Sequence, residues 1–323
     1  MWYLKMRLYF LLAVLFGIVY AIMTVIGTSM GVSNFYFYLT FSLVLMFIQY
    51  MIGPKIVEWS MRVKYVDKNQ YPKLHQMVEE LARKAQIPKP KIGIAGIAIP
   101  NAFAFGRGLT DGRICVTSGI VQLLDENELR AVLGHEMSHL KNRDVLFITV
   151  LSVIPMIFYR LAWHFLWFGG GRRREGGANT ALIGLAAFIF YFITNLLVLY
   201  GSRIREYFAD RGSIALGNQP EFLASALYKL VYGSARMNKE TLKDAEGLKA
   251  FFVNDPSRAR KEINDLAQID LNRSGTIDSS ELADLRGKSL NLNFGDKMME
   301  ALSTHPNMLK RIKQLSKYKR GAM

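Results

Sequence analysis

"HEMSHLKNRDVLFITVLSVIP", residues 135–155, decides how the rest of the chain is read. Its first five residues set two histidines four apart, with a glutamate after the first. From Val145 onward it becomes an apolar run of the kind that sits in lipid. On a helix, His135 and His139 project from one face about a turn apart, which suits two imidazoles holding one metal ion. Glu136 in this pattern does not ligate but takes the proton of the water that the metal activates. Chemistry that requires water therefore stands beside sequence that avoids it.

The whole chain carries both tendencies. It has 323 residues, 51% of them hydrophobic, and a slightly positive mean hydropathy. That balance fits membrane spans joined to a water-facing domain. The net charge is +15. Lys and Arg gather beside the apolar runs, where they mark the cytoplasmic side and meet anionic lipid. No DNA- or RNA-binding motif accompanies the charge, so nucleic acid is not expected as a partner. The single cysteine, Cys115, excludes an intrachain disulfide and reads as a small buried residue in a strand.

Four apolar runs stand out, at about 8–26, 35–52, 145–168 and 181–200. The first two come close to the ~20 residues that cross a bilayer and are joined by the uncharged turn GVSN. Residues 1–52 are therefore expected to form a membrane hairpin. Lys5, Arg7, Lys55, Arg62 and Lys64 at its outer ends place the N-terminus and residue 53 onward in the cytoplasm. Residues 145–200 form a second hairpin, spanning or re-entrant. Its linker GGGRRREGGAN runs against the charge rule, and Pro155, Arg160 and His164 suit a shielded element better than a lipid-facing one. Between and after the hairpins lie two pieces of one cytoplasmic domain, 53–144 and 201–323. The first opens with an amphipathic helix built on Leu74, Met77, Val78, Leu81, Ala82 and Ala85. Strand-like runs KIGIAGI and RICVTSGIV follow. Asp125 with Glu128 then forms a capping box that starts the HEMSH helix. The expected fold is a mainly α membrane protein with a small β element and four apolar helices in two hairpins.

Zinc needs a third protein ligand and an open position. Past the second hairpin, "RIREYFADRGS" places Glu206 and Asp210 four apart on a helix. Glu206 is the candidate third ligand. Asp210, one turn on, can accept a hydrogen bond from a ligand histidine and fix its tautomer. The alternative is a solvated charged helix, since Arg203, Arg205 and Arg211 surround the pair.

"NAFAFG", "LGHEMSHLKNRD", "REYFADRGS" and "STHP" together resemble the HtpX-type membrane zinc metalloproteases and, more distantly, the CAAX prenyl-protease relatives. The resemblance runs across nearly the whole chain and keeps the motifs in order. It implies a gluzincin-like protease domain with zinc held by His135, His139 and Glu206. It implies further that Glu136 is the base, that Asp210 supports the ligands, and that the role is membrane-protein quality control at the cell membrane, with the site on the cytoplasmic side.

Hydrolysis of a peptide also needs a donor for the tetrahedral oxyanion. His305 is the candidate, with Arg311 as a helper; otherwise His305 caps the helix that starts near Pro306. Tyr207 is a weaker donor. Residues 101–108 read as an edge strand to which a substrate peptide can add, with Asn101, Ala102 and Phe103 at its start.

One motif falls outside the resemblance. DLNRSGTIDSSE, residues 270–281, follows the EF-hand order. Asp270, Asn272, Ser274, Thr276, Asp278 and Glu281 stand at the ligand positions, within an inserted segment at about 262–290. Asp278 with Glu281 also reads as a plain capping box. Calcium, or magnesium, is the expected cation. The expected activity is endopeptidase cleavage of misfolded or damaged membrane proteins, with peptides and the lipid bilayer as partners. The competing readings are a CAAX-type prenyl-protein processing protease and a non-catalytic, calcium-responsive membrane scaffold.

Overall fold

The structure is a computed structural model. It describes residues 35–167, 177–237, 262, 263, 266, 268–288 and 294–318. The first apolar run and most of the GGGRRREGGAN linker lie outside these. By internal contacts the chain divides into two units, Met1–Ile52 with Leu146–Ile204, and Gly53–Val145 with Arg205–Met323.

In the first unit, α5 (Asp144–Trp167) and α6 (Gly177–Ala215) supply a small core of Leu151, Ile154, Phe158 and Val198. Leu182, Leu185, Phe188, Ile189, Phe192 and Ile193 are exposed. Apolar side chains left outward along a helix are what a lipid-facing surface requires. Leu182–Ala215 is long and apolar enough to cross a membrane, alone in this among the described residues. Of the other expected runs, 35–52 falls on α1 (Phe35–Ser60) and 145–168 on α5. The sequence separates an apolar run ending at Tyr200 from a charged helix after it; the structure makes them one helix of 39 residues. No proline interrupts it, so the backbone ladder continues past the change of polarity.

The second unit holds a four-stranded sheet of β1 (Val63–Tyr65), β2 (Lys91–Ala95), β3 (Ala102–Phe105) and β4 (Arg113–Thr117), in the order β1-β2-β4-β3. β2 and β4 are parallel and the other pairs antiparallel. β3 thus lies at one edge. Helix α2 (Pro72–Ala85) buries Leu74, Val78, Leu81, Ala82 and Ala85, the stripe its spacing predicts. The run RICVTSGIV does not stay extended. Thr117 turns its hydroxyl to the N–H of Ile120 and caps α3 (Ser118–Leu123), ending the strand at residue 117. The Asp125–Glu128 capping box forms and opens α4 (Glu126–Lys141). Glu128 also accepts from Ser225 Oγ at 2.6 Å and Lys229 Nζ at 2.8 Å, both on α7 (Pro220–Ala235). These contacts fix the start of α4 against its neighbour.

Cys115 is fully buried among Phe103, Phe105 and Ile99. Burial pushes its thiol from 9.0 up to about 12. Native protein at pH 8 is therefore expected to leave a thiol reagent such as DTNB unreacted, and unfolded protein to consume one equivalent. Because the folded value is the higher, the neutral thiol's contribution to stability is complete below pH 9. It is lost as pH rises through 12.

Candidate metal centre

Two glycines bring the sequence-distant halves of the site together. Helices α4 and α6 cross at Gly134 and Gly212. A Cβ at Gly212 would stand 2.0 Å from Ser138 Oγ, and one at Gly134 would stand 2.3 Å from Asn218 Nδ2. Ser213 Oγ donates to the Ala131 carbonyl at 2.6 Å across the same crossing. A larger residue at either place would force these side chains aside, and the approach sets Glu206 and Asp210 opposite His135 and His139.

His135, His139 and Glu206 place their donor atoms within 4.8 Å of one another. The two Nε2 atoms are 3.0 Å apart. Glu206 Oε2 lies 3.5 Å from His135 Nε2, and Oε1 lies 3.6 Å from His139 Nε2. Tetrahedral zinc with bonds of about 2.0–2.1 Å separates its ligands by about 3.3 Å, so the three distances fit one ion. Both Nδ1 atoms are occupied by carboxylates: His135 by Asp210 at 2.9 Å and His139 by Asp144 at 2.6 Å. The Nε2 lone pairs are thereby directed inward. The buried charges agree. Among the described residues, Asp144 pairs with Arg205, while Asp210 and Glu206 share Arg311. That leaves buried negative charge beside the two imidazoles, which a divalent cation would offset. In the metal-free chain a proton answers part of this charge. Burial alone would lower His135, but the hydrogen bonds it donates to Asp210 and Glu206 outweigh it and raise its pKa to about 9. His139 is lowered, by burial and by His135 beside it.

Glu136 is buried, and burial raises its carboxyl. The Ala104 backbone N–H holds it from β3. Asn101 turns its carbonyl to Thr117 N at 2.9 Å and its N–H to Thr117 Oγ1 at 2.8 Å. Phe103 likewise faces Cys115 of β4. By strand alternation Ala102 and Ala104 point their main-chain groups to the open edge. Of the expected main-chain pair Asn101 and Ala102, Asn101 is thus engaged with Thr117 while Ala102 stays at the open edge.

Arg311, expected to help the oxyanion, lies on α10 (Met308–Leu315). It is fully buried. Its guanidinium donates to Asp210 at 2.6 and 3.0 Å and lies 3.0 Å from Glu206 Oε2, so its charge is directed at these carboxylates. His305 is freed from the capping role, since Asn307 caps α10 through Leu309 N. Both His305 ring nitrogens are buried without a hydrogen-bond partner, and Nδ1 lies 3.4 Å from Glu206 Oε1. Tyr207 sits half-buried beside Glu206.

Asp144 escapes a reading of spacing alone. Arg143, at φ 56°, interrupts the helix just before it, and Asp144 Oδ2 lies 2.6 Å from His139 Nδ1. The only sequence signal is the KNRD stretch that breaks the helical pattern.

The calcium-like loop lies apart from this centre. Asp270 accepts from Ser274 N, Gly275 N and Tyr228 Oη, at 3.0, 3.1 and 2.6 Å. Asn272 Oδ1 accepts from Ser274 N, and Ser274 Oγ meets the Thr276 carbonyl. Asp278 and Glu281 form the capping box of α8 (Ser279–Gly287). Glu281 Oε1 also accepts from Leu271 N at 2.9 Å.

A HExxH helix crossed by a glutamate-bearing helix, beside an edge strand, defines the centre of a metallopeptidase. The chain belongs to peptidase family M48, whose family model matches residues 68–319. It is 50% identical over 250 residues to "Protease HtpX homolog" of Methanothermobacter thermautotrophicus, covering 76% of this chain and 94% of that protein. It is 33% identical over 311 residues to "Protease HtpX homolog 2" of Methanosarcina mazei, covering 95% and 92%. In fold it is similar to the crystal structure of S. mikatae Ste24p, with a TM-score of 0.56 at 17% identity. That match covers 98% of this chain and 66% of the other. The chain is thus a protease of the HtpX type by family.

Proposed function

We propose that the protein is a multi-pass, membrane-anchored zinc endopeptidase. It cleaves misfolded or damaged membrane proteins at the cytoplasmic face of the cell membrane. The observation that carries this reading is the convergence of His135, His139 and Glu206 within 4.8 Å, with both imidazoles oriented by carboxylates. The continuity of α6 supports the location: one helix carries the apolar segment and, near its end, Glu206. The loop charges counted from the sequence support the cytoplasmic side.

His135, His139 and Glu206 would hold the zinc, which would supply the Lewis acidity that activates water and a peptide carbonyl. The chain's own residues do the rest. Glu136, raised by burial, accepts a proton at its carboxylate and returns it to the leaving amine. The open edge of β3 holds the substrate backbone extended beside it. His305 donates toward the carbonyl oxygen as it gains charge. Asp210 and Arg311 hold His135 and Glu206 in place.

The test is cleavage of casein and of a detergent-solubilised, unfolded membrane protein by purified full-length chain. Cleavage is expected to stop with a chelator and resume with zinc. Chelator-resistant cleavage would remove the metal from the account. Processing of a farnesylated C-terminal peptide, with casein left intact, would move the assignment to prenyl-protein maturation.

We also read residues 270–281 as a divalent-cation loop, for calcium or magnesium. Support comes from the EF-hand residue order and the left-handed backbone at Arg273 and Gly275 that turns the loop. Terbium luminescence of the full chain is expected to saturate, and to fall in Asp270→Ala. A signal that ignores that substitution would end this reading.

A further inference from the structure

The chain leaves the second unit after Val145 and returns to it at Arg205. The residues at these two points meet. Asp144 and Arg205 are both buried and form an ion pair through Oδ1 and Nη2. Arg205 Nη2 also donates to the Asn142 carbonyl at 3.1 Å. The other oxygen of Asp144, Oδ2, holds His139 Nδ1 at 2.6 Å. The pattern matches that around His135, where Asp210 takes Nδ1 and Arg311 takes Asp210. Each imidazole is thus backed by a carboxylate, and each carboxylate by a guanidinium. The two sets differ in position. All four residues belong to the second unit, but Asp144 and Arg205 stand where the chain leaves it and returns to it.

We propose that Asp144 and Arg205 are positioning residues for His139, and that through them tight metal retention requires the two ends of the apolar hairpin to stay side by side. The inference rests on the metalloprotease reading above. A carboxylate on Nδ1 fixes the imidazole's tautomer and strengthens Nε2 as a donor, and loss of such a partner weakens metal binding about 10–100-fold. Arg205 compensates the Asp144 charge and holds its carboxylate in line. Spreading of the hairpin ends would draw that carboxylate away from His139.

The experiment is zinc affinity by chelator competition on the full chain in detergent, with thermal unfolding followed in parallel. Asp144→Ala and Arg205→Gln are each expected to weaken zinc about 10–100-fold. If Asp144→Ala does not fold, Arg205→Gln decides, because Asp144 remains in place. The exchange Asp144→Arg with Arg205→Asp restores an ion pair but removes the carboxylate from its place at His139. Recovery of thermal stability with affinity still low supports positioning; recovery of both shows a mere clamp and overturns it. The cobalt-substituted protein should show an altered visible spectrum in Asp144→Ala and an unaltered one under the clamp alternative. Parent protein that binds no zinc defeats the metalloprotease reading itself. Parent and variants that bind equally tightly defeat only this inference.

Discussion

Glu136→Gln is expected to lower casein cleavage by about 10²–10⁴-fold while leaving zinc content unchanged. The side chain is buried beside the histidines, and glutamine has its shape without its proton affinity. Ala104 N–H still has an amide oxygen to meet, so the strand and helix keep their places. The discriminating pair of measurements is turnover and metal content on the same preparation. Equal cleavage by parent and variant, with contaminating proteases excluded, would show that Glu136 handles no proton. Loss of zinc in the variant would show that it is a ligand instead.

The second large effect is on stability. Arg311→Met is expected to destabilise the fold by about 3–5 kcal/mol, read by thermal or denaturant unfolding of the metal-free chain. The side chain has no exposed surface, and its three charged contacts go to Asp210 and Glu206. Removing it leaves the buried carboxylates of Asp210 and Glu206 with only the His135 imidazole between them. Zinc is expected to restore part of the loss, since it supplies positive charge at the same place. A variant as stable as its parent would mean that the guanidinium is not what compensates these carboxylates.

The parts legible in the sequence are those set by local chemistry. The α4 capping box, the stripe of α2 and the ligand pair at i and i+4 follow from spacing. Spacing alone leaves Glu206 and Asp210 between a ligand pair and a solvated charged helix; the family resemblance chooses between them. The parts that were not legible depend on contacts between distant segments. Arg311 reads as an oxyanion helper in sequence, and only the fold shows its guanidinium set against Asp210 and Glu206 of α6. Asp144 carries no role in the sequence reading, yet after the left-handed Arg143 its carboxylate meets His139. Gly134 and Gly212 look unremarkable until a Cβ is placed on them. The β4 run misleads past Thr117 because one hydroxyl, turned to Ile120 N, starts a helix where the apolar pattern continues.

The central claim is that one metal ion joins His135 and His139 of α4 to Glu206 of α6. Metal analysis of the purified full-length chain beside its Glu206→Gln variant tests it most directly. The account predicts about one zinc per parent chain and little retained after the substitution, in protein that remains folded. Full zinc content in folded Glu206→Gln protein, or a folded parent that takes up no zinc, would contradict it.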